Sequence, residues 1–306
     1  MNSNDLKLLV DRNRHWIERG SVADYIPELK NAKKEALGIC AMDLEGNIYS
    51  AGDVKEPFTI QSISKVINLI ALLEDCPIEQ VLSKISFEPT ADGFNDITSL
   101  ETKNENKPLN PMINSGAIVV VSMLKGTCGD EKYQRALELF KKMSHNYDLT
   151  YNKAVYESEK ATASRNRALA YYMMSTGVLE GDVEDILDAY FKLCSLEVNC
   201  EDLAKIGAVL ANDGVSPITG EIITSKKIAK TVKAVMGTCG MYDASGDVAV
   251  SVGIPSKSGV GGGIMSSVPK KMGIGIFGPS LDKKGNSIAG LELLSEVSET
   301  FDLGIY

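Results

Sequence analysis

Two hydrophobic periods divide the chain. Leu6, Leu8, Leu9, Val10, Trp16 and Ile17 recur at a broken helical spacing and predict an amphipathic helix over the first ~20 residues. "GICAMD" and "NIYSAG" are short β-like runs on either side of Glu45-Gly46-Asn47, which predicts a hairpin. Ile63 to Leu73 is apolar for too long to be a typical strand and predicts a buried helix. A series of helical patterns follows: "DEKYQRALELFKKMS", "RNRALAYYMMS", "DVEDILDAYFKLCS", "EDLAKIGAVLAND" and "KKIAKTVKAVMGTCG". Beyond Gly240 the pattern turns glycine-punctuated and β-like in "VAVSVGIP", "SKSGVGGGIMSSVP" and "KMGIGIFGP". "NSIAGLELLSEVSETF" returns to helix. Strands near both ends with helices between predict an α/β (α+β) fold. Residues 1–70 and 230–306 would form one discontinuous α/β domain and 71–229 a mostly helical domain, with a site at their interface.

Composition narrows the function. The 306 residues carry a net charge of -9, which argues against a nucleic-acid or anionic-membrane partner, since both require a basic face. The opening Met-Asn-Ser-Asn-Asp-Leu-Lys has no apolar signal core and no run is long enough to span a membrane, so the expectation is a cytoplasmic protein. The six cysteines are scattered, with no Cys-x-x-Cys pair, and read as free thiols. The two histidines, His15 and His145, lie outside any motif. A Ser-His-Asp site and a multi-histidine metal site are therefore disfavoured, and a hydrolase built on this chain needs another base.

"FTIQSISKVINLIALL" offers one. In Ser62-x-x-Lys65, positions i and i+3 share a helix face, so the lysine can reach the serine hydroxyl. Burial near another cation would lower the lysine pKa until its neutral amine could take the serine proton. A plain helix start explains the same four residues. The second piece is Lys257-Ser258-Gly259 on a late β-like stretch, where Lys257 would bring the second cation. Ser-x-x-Lys opening a helix and Lys-Thr-Gly on a strand mark the penicillin-binding enzymes, and serine for threonine keeps the hydroxyl. Ser164-Arg165-Asn166 formally fits the intervening Ser-x-Asn element.

Longer stretches are more specific. "GSVADYIPEL", "PFTIQSISKV", "NPMINSGAI", "SEKATASRNRALAYYM", "DAYFKLCSLEVNC", "LANDGVSPITGE", "CGMYDASG", "KSGVGGGI" and "LDKKGNS" run in order from about residue 21 to 287 and resemble the serine-dependent glutaminases. The resemblance implies a β-lactamase/transpeptidase-like fold, an antiparallel sheet flanked by helices plus a helical domain. It implies hydrolysis of L-glutamine to L-glutamate and ammonia with no metal or other cofactor, in a compact bacterial-type enzyme that is often a homotetramer.

Position by position, the resemblance makes Ser62 the nucleophile, Lys65 its base and Tyr242 a proton shuttle. Val260 would donate its backbone N–H, with that of Ser62, to an oxyanion hole. Tyr25, Asn114, Glu159, Asn166 and Tyr190 would bind glutamine, supported by Gln61 and Lys257. Glu159 could pair with the α-ammonium, while the asparagines and tyrosines position the carboxylate and amide. Taken alone, Asn114 is as good a helix N-cap, Tyr190 a core residue and Glu159 a solvated helix charge. The glycines after Val260 are more numerous than the family pattern. A β-lactamase or D-alanyl peptidase is the neighbouring reading, opposed by the absence of an export signal. A non-catalytic binder is opposed by Ser62, Lys65 and Tyr242 occurring together.

Overall fold

Asp43 makes the first hairpin. Its Oδ1 accepts the backbone N–H of Glu45 (3.0 Å) and of Asn47 (2.8 Å). Gly46 takes the left-handed φ of +87° that closes the turn between β1 (Gly38–Asp43) and β2 (Ile48–Gly52). The computed structural model describes residues 1–102 and 106–305. Two further strands, β3 (Phe58–Thr59) and β4 (Glu197–Val198), pair with each other. Late in the chain β5 (Ser256–Ser258), β6 (Gly263–Val268) and β7 (Met272–Phe277) join β1 and β2 in one sheet, in the order β2-β1-β7-β6-β5 and antiparallel throughout.

Period-two patterning gives this sheet two different faces. Ile39 and Ala41 of β1 and Ile274 and Ile276 of β7 pack with α1 (Ser3–Asn13), which begins at an Asn2–Asp5 capping box. Cys40 and Met42 face the opposite core with the helices inserted between β2 and β5. These begin with α2 (Ser64–Asp75), α3 (Ile78–Lys84) and α4 (Thr98–Thr102). Next come α5 (Asn114–Met123), α6 (Gly129–Ser144), α7 (Lys153–Thr162) and α8 (Ser164–Ser175). The series ends with α9 (Val183–Cys194), α10 (Cys200–Ala211) and α11 (Lys226–Cys239).

Within the span 71–229, α10 lies directly on β1, β6 and β7. Glycine permits this: a Cβ on Gly273 would stand 2.0 Å from the Ala208 nitrogen, and one on Gly275 2.1 Å from the Cys200 carbonyl oxygen. The alternation in "MGIGIF" thus places glycine under the helix and isoleucine in the other core.

One sequence expectation fails. "VAVSVGIP" is not a strand: Ser245–Ser251 forms the helix α12. Val248 and Val252 are buried and Val250 is 91% exposed. Residues i and i+4 share a helix face and i+2 points away, whereas a strand would align all three. The chain closes with α13 (Ile288–Thr300), packed beside α1. No helix among the described residues is long and apolar enough to cross a membrane.

Candidate active site

The serine of the Ser-x-x-Lys motif sits just before the helix. Ile60 leaves β3 with its N–H bonded to the Leu196 carbonyl (2.8 Å). Gln61 then adopts a left-handed φ of +51°, and a 3₁₀ turn, Gln61–Ile63, carries Ser62 into α2. A left-handed non-glycine residue is strained and is held only where its surroundings over-determine it. Glycines supply that enclosure: a Cβ on Gly259 would stand 2.6 Å from the Ile60 carbonyl oxygen, and one on Gly261 2.3 Å from that of Thr59. The glycine run therefore lets the β5–β6 connection press against the serine turn.

Lys65 projects from the first turn of α2 and is fully buried. Its ammonium donates to Asn114 Oδ1 (2.6 Å) and the Met112 carbonyl (3.3 Å). Burial lowers its pKa to about 8. Asn114 is not the N-cap of α5; Ile113 holds that position. Its side chain links the site instead, accepting from the Tyr190 hydroxyl (3.4 Å) and donating from Nδ2 to Asn166 Oδ1 (2.9 Å). Tyr190, in the core of α9, thus turns its one polar atom to the site.

Glu159 on α7 is no solvated charge. It is buried, hydrogen-bonded to Gln61, and raised to about 8 by burial, against the lowering pull of Gln61 and of Lys65. Its Oε2 has no partner among the described residues. A cavity of about 80 Å³ opens here, lined by Tyr25, Phe94, Asn114, Glu159, Arg165 and Asn166. Tyr25 stands at the rim, 54% exposed.

Tyr242 begins a second 3₁₀ turn, also left-handed at φ +55°. Ser245 clamps it, accepting from the Met241 N–H (3.1 Å) and donating to the Tyr242 carbonyl (2.8 Å). The phenol hydroxyl is hydrogen-bonded to Ser62 and donates to the Ser258 carbonyl at 3.3 Å. Burial raises it to about 12, with the hydrogen bonds of Ser62 and Ser258 opposing. The Lys257 Nζ, fully buried, lies 4.1 Å from the ring centroid. The sequence predicts that Lys257 depresses Lys65. The structure reverses this: burial alone lowers Lys65, while Lys257 is driven well below the usual lysine range by burial first and by the Lys65 charge second. Val260 follows the strand, and neither its backbone N–H nor that of Ser62 has an acceptor among the described residues.

All the residues expected from the sequence therefore gather around one cleft between the sheet end and the helices. The sequence reading missed Phe94, whose ring packs on Tyr242 at 4.9 Å, and the Ser258 carbonyl. It also missed Cys194, a buried thiol near Ser64. No cluster of three metal-ligating side chains occurs among the described residues. The arrangement provides a buried hydroxyl, an amine of lowered pKa, two free N–H groups and an unpaired carboxylate oxygen, a set suited to acyl transfer on a substrate bearing a cation.

Comparison with known proteins agrees. Residues 20–306 match the family model described as Glutaminase. The chain is 56% identical over 306 residues to a glutaminase of Clostridium tetani, covering 100% of both chains. It is 55% identical to glutaminase 2 of Clostridium perfringens, covering 99% of each. Among solved structures, it is similar to a Bacillus subtilis glutaminase in covalent complex with 5-oxo-L-norleucine, formed by reaction with 6-diazo-5-oxo-L-norleucine. That match has a TM-score of 0.91, 40% identity and 99% coverage of both chains.

Proposed function

The chain belongs to the glutaminase family, and from that premise we propose that it hydrolyses L-glutamine to L-glutamate and ammonia through an acyl-enzyme on Ser62. Glutamine enters with its α-ammonium against Glu159 and its carboxylate among Tyr25, Asn114, Asn166 and Tyr190. Lys65, in its neutral form, takes the Ser62 proton as Oγ bonds to the side-chain amide carbon. The oxyanion is received by the N–H groups of Ser62 and Val260. The C–N bond breaks, and the proton held at Lys65 is delivered to the departing nitrogen, with Tyr242 relaying, so that ammonia leaves and an ester remains. Water then gives its proton to Lys65 and its oxygen to the ester carbon; the proton returns to Ser62 as glutamate departs. Tyr242 stays a neutral phenol near pH 7, since its pKa is about 12, and so serves as a relay rather than as the base.

The observation that carries this reading is the joint burial of Ser62, Lys65 and Tyr242 beside the unpartnered Glu159 oxygen. The test uses Ser62→Ala and 6-diazo-5-oxo-L-norleucine. Wild type should gain one covalent adduct, mapped to Ser62 by mass spectrometry. Ser62→Ala should gain none, lose hydrolysis by at least ~10³-fold and keep its Tm within a few degrees. Turnover near wild type in purified Ser62→Ala would sink the covalent mechanism.

The site falls where the proposed α/β part (1–70 and 230–306) meets the proposed helical part (71–229). We extend the reading to a cytoplasmic homotetramer. Six free cysteines suit a reducing compartment, the family resemblance supports the tetramer, and light scattering would read its mass directly.

A further inference from the structure

Tyr242 and Lys257 share one acceptor. The tyrosine hydroxyl (3.3 Å) and the Lys257 Nζ (2.7 Å) both donate to the main-chain carbonyl of Ser258. The Ser258 side chain is engaged elsewhere, its Oγ–H donating to Asn286 Oδ1 at 2.6 Å. Lys257, Ser258 and Asn286 are all fully buried. Asn286 arrives on a turn closed by Asp282, which accepts the backbone N–H of Lys284 and of Asn286 at 2.9 Å each. The same turn touches the site: a Cβ on Gly285 would lie 3.1 Å from the Val260 side chain and 3.7 Å from the Tyr242 ring. Asn286 Nδ2 is buried with no partner among the described residues. Leaving an amide donor unpaired inside a protein is costly, and an apolar side chain would avoid that cost if packing were all the position required. What Asn286 provides is one short bond to the residue that owns the shared carbonyl.

We propose that Asn286 is a positioning residue for the glutaminase reaction: through Ser258 it fixes the carbonyl that accepts the hydrogen bond of the Tyr242 hydroxyl. This rests on the Ser62 reading above. In the resting site, with its O–H turned to Ser258, Tyr242 presents a lone pair to Ser62 and accepts from the serine hydroxyl, until that hydroxyl turns to neutral Lys65 and gives up its proton. The lone pairs of Oγ then remain free for the amide carbon. If the Ser258 carbonyl drifts, Tyr242 can turn its proton toward Ser62 and occupy the attacking lone pair.

The experiment measures kcat and KM for glutamine in Asn286→Ala, Ser258→Ala, their double mutant and Ser258→Thr, with Ser62→Ala alongside. Asn286 does not line the cavity that holds Tyr25, Asn114, Glu159 and Asn166. KM should therefore stay within about twofold while kcat falls about tenfold or more in each alanine variant. Because both remove one hydrogen bond, the double mutant should be no slower than the slower single mutant. Ser258→Thr keeps the hydroxyl and should keep kcat within about threefold of wild type. Multiplying losses in the double mutant, a rise in KM at unchanged kcat, or a Ser258→Thr enzyme as slow as Ser258→Ala would each overturn the proposal. So would wild-type kcat in Asn286→Ala. If Asn286→Ala does not fold, the Ser258→Ala and Ser258→Thr pair decides alone. Activity in Ser62→Ala would instead remove the underlying mechanism, and that result is independent of the other four variants.

Discussion

Lys65 holds the site's most specific titration. Burial brings it from an ordinary 10.5 to about 8. A folded-state pKa below the ordinary value means that the neutral amine grows in as pH rises through about 8; at pH 6 only ~1% is neutral. Turnover should therefore climb with pH across that interval, as followed by ammonia release between pH 6 and 10. Glu159, raised to about 8, gains its charge in the same interval, so the limb in kcat/KM belongs to the Lys65–Glu159 pair. Tyr242, the proton shuttle of the family resemblance, stands apart, raised to about 12 by burial. Lys65→Arg cannot lose its proton, so turnover should drop by ~10³-fold or more and the Lys65 share of the limb should vanish; an arginine enzyme with normal turnover would acquit Lys65. At this scale the sequence was legible where chemistry is local. Ser62 and Lys65 lie three residues apart, and the proposed glutamine-binding positions were reached through ordered motifs. Phe94 had no such signal, and Asn286, though inside "LDKKGNS", carried no sign of its role, because both roles arise from contacts across 148 and 28 residues of chain, with Tyr242 and Ser258 respectively. Nor does a glutamine or a tyrosine in sequence announce a positive φ, as Gln61 and Tyr242 adopt.

Glycines decide more at the scale of elements than the hydrophobic period does. The hairpin, the long helices and the strands β5 to β7 were readable because their periods are unmixed. "VAVSVGIP" was misread because Val248, Val250 and Val252 satisfy a strand's alternation while two of them equally satisfy i, i+4. Only tertiary burial separates the two. Between β5 and β6 the glycines keep the Ser62 turn in place by close backbone approach. Gly261→Ala should push that connection off the turn, lowering kcat at least tenfold and stability by about 1–3 kcal/mol. Gly246→Ala is the control: it lies in α12 with nothing within 4 Å of an added Cβ and no positive φ. It should gain about 0.5–1 kcal/mol with activity unchanged. Thermal unfolding and ammonia release on the two variants check both halves, and equal activity in Gly261→Ala would refute the bracing role of the glycines.

Across the described residues most charge lies at or near the surface, with Asp202 and Lys233 the buried exceptions outside the cleft. Asp213, for example, pairs with the exposed Lys226 (3.2 Å), where such pairs add little to stability. Lys65, Lys257 and Glu159 instead sit buried at the cleft, so the site should cost the fold some stability, and that cost should depend on pH. Glu159 shows the sign. Its folded pKa of about 8 lies above its ordinary 4.5, so between those values the folded protein holds a proton that the unfolded chain releases. Stability therefore falls as pH rises through this window, and the penalty is complete above pH 8. Glu159→Gln cannot ionise and keeps the shape. At pH 9 its Tm should exceed that of wild type by roughly 5 °C, and near pH 5 the two should coincide, because both side chains are then neutral in the folded state. The same variant should bind glutamine much more weakly, having lost the partner for the α-ammonium. Scanning calorimetry at the two pH values, set beside glutamine affinity, separates the effects. A gain equal at both pH values would point to packing rather than charge, and no gain at pH 9 would mean that Glu159 is stabilised as a carboxylate by its own site. The expected outcome, a more stable and less active protein, makes the Glu159 charge a feature kept for the substrate at the expense of the fold.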